Sequence, residues 1–376
     1  MLPVLSADKS ALERAAAALH AHKLVVVPTE TVYGLAANAL SAEAVTSIFT
    51  TKRRPVDNPL IVHVSNTSML DSLTPSPRPA VYSALMDKFW PGPLTLLFPA
   101  SPHLPTQVTA GLDTVAVRMP SHPIACALIS TADIPLAAPS ANLSGLPSPT
   151  TPLHAATDLA KSSDTVDCVL DGGPCNFGIE STVVDGISQP GVLKILRPGA
   201  ISLDDLKSVC SSFNVKVRSL HHHETSVQVA QPSTPGMKYR HYSPSSAIVY
   251  LLDISSSSSS SSSLQDFIST LQQSSNPAAR IGIMLTDDSP LQQHVQKLKT
   301  ETEKYNKLAC SFEFYSLGRS TRPVEAARNL FAGLRHLDKL PCSVILLEKV
   351  DQAGIGTAVV ERSLKAASNN VVEISI

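Results

Sequence analysis

Short strings of hydroxyl-bearing, cationic and small residues mark where this chain could do chemistry. The segment Pro28-Thr29-Glu30-Thr31-Val32-Tyr33-Gly34-Leu35 follows the apolar run Leu24–Val27. Open α/β sheets bind ligands at the carboxyl ends of their strands, and two threonine hydroxyls beside a glycine suit that place. A polar turn whose hydroxyls cap the next segment reads equally well. Lys52-Arg53-Arg54-Pro55-Val56-Asp57-Asn58-Pro59 sets adjacent cations ahead of two prolines, with His63 in the apolar run that follows. Such cations usually form a solvated face favoured by a helix C-terminus. Rigid placement by the prolines would instead let an arginine fork hold phosphate or carboxylate oxygens. Arg118 closes the run that begins at Thr114; a cation there needs an anion or a carbonyl, from a ligand or from a structural salt bridge.

Ala138-Pro139-Ser140-Ala141-Asn142-Leu143-Ser144-Gly145, Gly178-Ile179-Glu180-Ser181-Thr182 and Arg197-Pro198-Gly199 are loops of small residues. Their backbone N–H groups can cradle phosphate or carboxylate oxygens. None has P-loop or GxSxG spacing, and HExxH and DxDxDG strings are absent. The consecutive imidazoles His221–His223 cannot converge on one metal as residues at i, i+4 do. Six scattered cysteines without a CxxC point to reduced thiols rather than disulfides or structural zinc.

The elements that must carry these strings fall into two α/β blocks. The chain has 376 residues, 30 Lys+Arg against 31 Asp+Glu, and only 16% charged residues. That excludes a disordered solvating chain and a broadly basic nucleic-acid coat. Its apolar runs are strand-sized, short of the roughly 18 residues of a membrane-spanning helix. Met1–Lys23 has the charges Asp8, Lys9, Glu13 and Arg14 in place of a signal-peptide core, so cytoplasmic residence is expected, with a minor mitochondrial pool left open. A first helix has Ser10 and Glu13 at capping-box spacing, with Ser6 and Asp8 as alternative caps, and Leu12, Ala15, Ala16 and Leu19 along one face. A helix over Ala42–Thr51 and strands at Leu24–Val27, Leu60–Val64, Leu94–Phe98, Val115–Val117, Leu136–Ala138, Val166–Leu170 and Thr182–Val184 complete the reading of residues 1–208. The only tryptophan, in Trp90-Pro91-Gly92-Pro93, reads as packing.

Residues 209–246 lose periodicity and read as a linker, yet Pro235-Gly236-Met237-Lys238-Tyr239-Arg240-His241-Tyr242-Ser243-Pro244 crowds aromatic and basic side chains beyond what a spacer needs. Residues 247–376 then alternate strands (Ile248–Leu252, Ile281–Leu285, Phe312–Tyr315, Val344–Leu347) with helices, which predicts a parallel sheet in a small doubly wound domain. The serine run Ser255–Ser263 buries nothing and reads as a mobile surface loop.

Taken together, PTETVYGLAANA (28–39), KRRPVDNPLIVHV (52–64), WPGPLTLLF (90–98), VAVRMP (115–120), APSANLSG (138–145), ESTVVD (180–185) and ILRPGAI (195–201) resemble the YrdC/Sua5 family of threonylcarbamoyl-AMP synthases. PGMKYRHYSP and GIGTAVVERSLKAA (354–367) are similar to the two-domain Sua5 type. The resemblance implies an α/β fold: a YrdC-like twisted sheet with a concave basic groove, then a smaller Rossmann-like domain. It also implies a reaction in which L-threonine, bicarbonate or CO2 and ATP give threonylcarbamoyl-AMP and pyrophosphate, for modification of tRNA adenosine 37 by a separate t6A transferase complex.

By family position, Thr31, His63, Arg118, Ala138 and Ser181 would hold threonine. Lys52, Arg54, Asn58, Thr114, Ser140, Asn142, Ser148 and Arg197 would contact ATP, and His241 and Tyr242 would belong to a lid. Mg2+ would come with the nucleotide, held by phosphates and water and by no protein side chain. No membrane partner is expected, and a weak affinity for tRNA is left open. Such chemistry asks for positioning and charge neutralisation, with no enzyme nucleophile. An RNA-binding module using Lys52, Arg53, Arg54 and Arg197 on phosphates is the alternative from another class. A HypF-type carbamoyl-transfer domain is disfavoured because acylphosphatase-like and zinc-finger segments are missing.

Overall fold

A computed structural model describes residues 2–75, 77–219, 241–254, 262–274, 280–305 and 311–375. The chain divides into two compact units, one of residues 1–144 with 148–239 and the other of residues 145–147 with 240–376. Among the described residues no helix is long and apolar enough to cross a membrane.

The first unit is built on strands β1 (Val4–Ser6), β2 (Leu24–Val27), β3 (Gly34–Asn38), β4 (Ile61–His63), β5 (Leu94–Pro99), β6 (Thr114–Arg118), β7 (Leu136–Ala137), β8 (Val166–Asp171), β9 (Thr182–Asp185), β10 (Val192–Arg197) and β11 (Lys216–Ser219). They form one mixed sheet in the order β1-β8-β2-β3-β7-β4-β6-β5-β9-β10-β11. The apolar run of β2 is continuous because both of its faces are covered: Leu24 and Val26 join a core with Tyr33, Ile48 and Val62, while Val25 and Val27 face Ala15, Leu19 and Leu128. Each such side chain contributes roughly 1.5–3 kcal/mol on burial.

The first helix, Lys9–His20, is capped by Asp8, whose carboxylate accepts from the Ala11 backbone N–H at 2.9 Å, so Asp8 takes the cap that the Ser10 and Glu13 spacing also offered. Trp90 does pack: its Nε1 donates to the Leu94 carbonyl at 2.7 Å and its ring lies 6.3 Å from that of Phe98. Within the stretch expected from residue 209 to be linker, residues 220–240 lie outside the described residues, but a helix ends at Cys210 and β11 adds to β10 in parallel register. Its sequence, Lys216-Val217-Arg218-Ser219, has one strongly apolar residue, as an exposed edge strand allows.

The second unit contains β12 (Ile248–Ile254), β13 (Ser262–Ser263), β14 (Arg280–Leu285), β15 (Ser311–Ser316), β16 (Cys342–Glu348) and β17 (Val371–Ser375). Their order is β13-β17-β12-β16-β14-β15 and every pairing is parallel, as the alternation of strands and helices predicts. Helices Leu264–Ser274, Pro290–Tyr305, Pro323–Lys339 and Gly356–Ala366 make the crossovers. Residues 220–240 and 255–261, which include His221–His223, Lys238–Arg240 and most of the serine run, lie outside the described residues. The end of that run, expected to be loop, is instead β13, Ser262–Ser263 pairing with Ile374 and Ser375 of β17.

Candidate active site

The turn Pro28–Tyr33 joins the antiparallel strands β2 and β3, and it is fixed from inside. Thr29 Oγ1 donates to the Val32 carbonyl at 2.6 Å and accepts the backbone N–H groups of Thr31 and Val32, both at 3.2 Å. The hydroxyls do cap the turn, but one also leaves it: Thr31 Oγ1 accepts from Arg118 Nη1 at 2.9 Å.

Arg118, at the carboxyl end of β6, is the centre of the cluster. In register it stands opposite His63 of β4 on one side and Thr95 of β5 on the other, so these three side chains share a face of the sheet. Its Nε donates to the Gly92 carbonyl at 3.1 Å, and Nη2 forms an ion pair with Glu30 Oε1. The two side chains are only 4% and 3% exposed. The other Glu30 oxygen accepts the Ser121 backbone N–H at 3.1 Å. Burial pushes the Glu30 carboxyl up, but the charge and bonds of Arg118 and the backbone donors outweigh it, holding Glu30 below the usual carboxylate range.

Burial, reinforced by the neighbouring guanidinium, pushes the His63 imidazole down to about 3. His63 is therefore neutral near pH 7, and its buried Nδ1 has no hydrogen-bond partner among the described residues.

Ser181, just before β9, joins the cluster through Thr95, with the two hydroxyls 2.8 Å apart. Arg197 clamps it from β10: Nε and Nη2 donate to the Ser181 carbonyl at 3.1 and 3.0 Å, and Nη2 to its hydroxyl at 3.1 Å. Gly199 allows the approach, since a Cβ there would lie 2.3 Å from the Thr182 nitrogen and 2.5 Å from the Ser181 carbonyl carbon. Ala138 is held beside β4 by its N–H to the Ile61 carbonyl at 3.0 Å. Thr31, His63, Arg118, Ala138 and Ser181 thus converge on one part of the sheet.

The adjacent cations 52–54 diverge. Lys52 ends the helix Ala42–Lys52 and is buried, with Nζ donating to the carbonyls of Ser140 and Asn142. Arg53 adopts the left-handed conformation that ends the helix, which turns Arg54 back onto its own loop. There Nε donates to the Asn58 carbonyl at 3.3 Å and Nη2 to that of Pro59 at 3.0 Å. Buried Asn58 has an Oδ1 without a partner among the described residues. Thr114 begins β6, four residues and about 13 Å of strand from Arg118, while Arg54 and Asn58 lie ahead of β4, where the Leu60 N–H bonds to the Val108 carbonyl at 2.9 Å. Ser140 bridges to Gly34, and buried Ser148 donates to Glu180 at 2.6 Å.

His241 and Tyr242 belong to the second unit. Tyr242 is buried with φ 64°, its ring 4.9 Å from that of Phe331 and 5.4 Å from that of His241. Sequence reasoning did not single out Glu30, Thr95 or Glu180; the signal for Glu30 was an acid centred between two threonines directly after a buried strand. Among the described residues no group of three or more His, Cys, Asp or Glu could hold a metal ion.

Comparison with known proteins gives these residues a family. The Sua5/yciO/yrdC family model, described as telomere recombination, matches residues 17–199, and that of the threonylcarbamoyl-AMP synthase C-terminal domain matches residues 201–368. The threonylcarbamoyl-AMP synthase of Bacillus subtilis is 38% identical, with 98% of this chain and 96% of the relative covered. That of Schizosaccharomyces pombe is 41% identical, covering 96% of this chain and 90% of the relative. The crystal structure of Pyrococcus abyssi Sua5 complexed with L-threonine superposes with a TM-score of 0.80 at 36% identity, over 99% of this chain and 98% of the other. Similar from end to end to these proteins, the chain belongs to the Sua5/YciO/YrdC family, in the two-domain form that carries the threonylcarbamoyl-AMP synthase C-terminal domain.

Proposed function

We propose that this chain is an L-threonylcarbamoyladenylate synthase. The observation that carries the reading is the buried group of Arg118, Thr31, His63 and Ser181 on one sheet face, in a chain similar throughout to a structure with bound L-threonine. Arg118 takes the amino acid's carboxylate, since each terminal guanidinium nitrogen carries two N–H groups and, among the described residues, Thr31 and Glu30 occupy one on each. The Thr31 and Ser181 hydroxyls and the neutral His63 orient the remainder of the substrate, and Ala138 closes the pocket.

ATP lies along the sheet towards Thr114, with Arg54, Asn58, Ser140, Asn142, Ser148 and Arg197 as its contacts. Lys52 acts from beneath, holding the 140–142 loop by its carbonyls. The lid role of His241 and Tyr242 belongs to the same proposal. Mg2+ would accompany the nucleotide, held by phosphate and water oxygens, and when bound would neutralise triphosphate charge. That suits a site whose nearby acids are engaged, Glu30 by Arg118 and Glu180 by Ser148.

The amine of threonine attacks CO2 and loses a proton, giving a carbamate. A carbamate oxygen then attacks the α-phosphorus and pyrophosphate leaves. The protein needs no nucleophile; it aligns two reactants and balances charge. The product would feed a t6A transferase acting on tRNA, and cytoplasmic residence fits that route. A HypF-type reading is weaker because residues 201–368 match the synthase's own C-terminal domain.

The test is to incubate the purified chain with L-threonine, bicarbonate, ATP and Mg2+. Threonylcarbamoyl-AMP by mass spectrometry, with pyrophosphate released only when all substrates are present, is the expected result. A chain that retards tRNA on a gel but forms no adenylate is an RNA-binding module instead.

A further inference from the structure

Glu30 is the buried acid at the centre of the site with no assigned part. An ion pair this deep is weak as a stability device, because desolvating both charges consumes most of their attraction. What the pair does achieve is geometric. A free arginine side chain has many rotamers, whereas every nitrogen of Arg118 is tied: Nε to Gly92, Nη1 to Thr31 and Nη2 to Glu30. Glu30 is itself held on its second oxygen by the Ser121 N–H, three residues beyond Arg118, so it cannot swing away with the guanidinium. Nor is it suited to take the proton of the substrate amine. The same contacts hold its carboxyl below the usual range, far from a poised base near pH 7.

We propose that Glu30 is a positioning residue for substrate binding: it sets the plane of the Arg118 guanidinium so that the amino acid's carboxylate meets both terminal nitrogens together. A bidentate carboxylate contact requires the plane as well as the charge. The inference rests on the threonylcarbamoyl-AMP reading. Thr31 assists from the other terminal nitrogen but, being neutral, cannot set the direction of the charge alone.

The experiment compares Glu30→Gln and Glu30→Asp, each alone and with Arg118→Lys, by steady-state pyrophosphate release, with folding checked by circular dichroism. Glu30→Gln is expected to raise the threonine KM roughly tenfold or more and leave the ATP KM within about twofold, the size of a charged hydrogen bond lost from one substrate. Glu30→Asp keeps the charge but is one methylene short of spanning Arg118 and Ser121, so its threonine KM rises by a smaller factor, roughly threefold. In the Arg118→Lys background, where the fork is already gone, Glu30→Gln adds little.

Threonine and ATP KM rising together, Gln and Asp acting equally, or full additivity with Arg118→Lys would overturn the assignment. If Glu30→Gln fails to fold, Glu30→Asp decides alone, and an unchanged threonine KM in that variant sinks the proposal. A wild-type chain that makes no threonylcarbamoyl-AMP overturns the underlying reading instead, so the two failures are separable.

Discussion

His63 and Arg118 stand opposite one another in the register of adjacent parallel strands, both buried. The guanidinium adds to burial in keeping the imidazole neutral down to about pH 3. An unfolded histidine takes its proton near pH 6.5. Between these values the unfolded chain binds more protons, so stability falls as pH drops from about 6.5 towards 3, by up to ~1.4 kcal/mol per pH unit from this residue. His63→Asn should flatten that slope. Urea midpoints at pH 7, 6 and 5 would show it, above the range where Glu30, whose carboxyl is also depressed, adds its own acid loss. Parallel slopes in the two proteins would mean that His63 is not buried in its neutral form.

Arg118→Ala would be a poor probe of the pocket, since it strands the Glu30 carboxylate in a buried place at a cost of roughly 3–5 kcal/mol. Arg118→Lys keeps the charge and loses the fork. The expected outcome is a threonine KM raised roughly tenfold or more with the ATP KM little changed, as one charged contact is worth about 1.5–3 kcal/mol. Equal weakening of both substrates would move Arg118 out of the amino-acid pocket.

Gly199→Ala places a methyl group 2.3 Å from the Thr182 nitrogen and 2.7 Å from the Glu180 carbonyl oxygen, with backbone on every side. Overpacking of this kind costs about 1–3 kcal/mol or more, so thermal unfolding should shift down by several degrees. Because the displaced atoms belong to Ser181 and its neighbours, activity at limiting threonine should fall further than stability alone explains. Unchanged melting and kinetics would show that the Arg197–Gly199 corner yields freely.

Much of this site was visible along the chain because its side chains sit at strand ends, which local apolar patterning finds. Arg118 stood out as a cation closing an apolar strand, and both partner classes then open to it, carboxylate and carbonyl, are present in Glu30 and Gly92. Glu30 was hidden because its partner is 88 residues away, a pairing that only the sheet brings about. The cations 52–54 read as one cluster, whereas the left-handed turn at Arg53 sends its neighbours to different places. β11 escaped notice for a different reason: an edge strand half in solvent has no apolar run to find.

Lys52 offers the sharpest separation between direct contact with substrate and support of the loop. Its ammonium lies within the fold and donates to the carbonyls of Ser140 and Asn142, bringing the small-residue loop down onto the end of helix Ala42–Lys52. Lys52→Met fills the same volume without a donor and leaves those carbonyls short of a partner, each at a cost of roughly 1–3 kcal/mol. The variant should therefore melt several degrees lower even without nucleotide, and its ATP KM should rise because Ser140 and Asn142 move. A lysine that served only the phosphates would behave otherwise: the ATP KM would climb while the melting temperature of the free protein, itself relieved of a buried charge, stayed level or rose. Differential scanning calorimetry of the two proteins without ligand, followed by ATP titration of pyrophosphate release, distinguishes these outcomes.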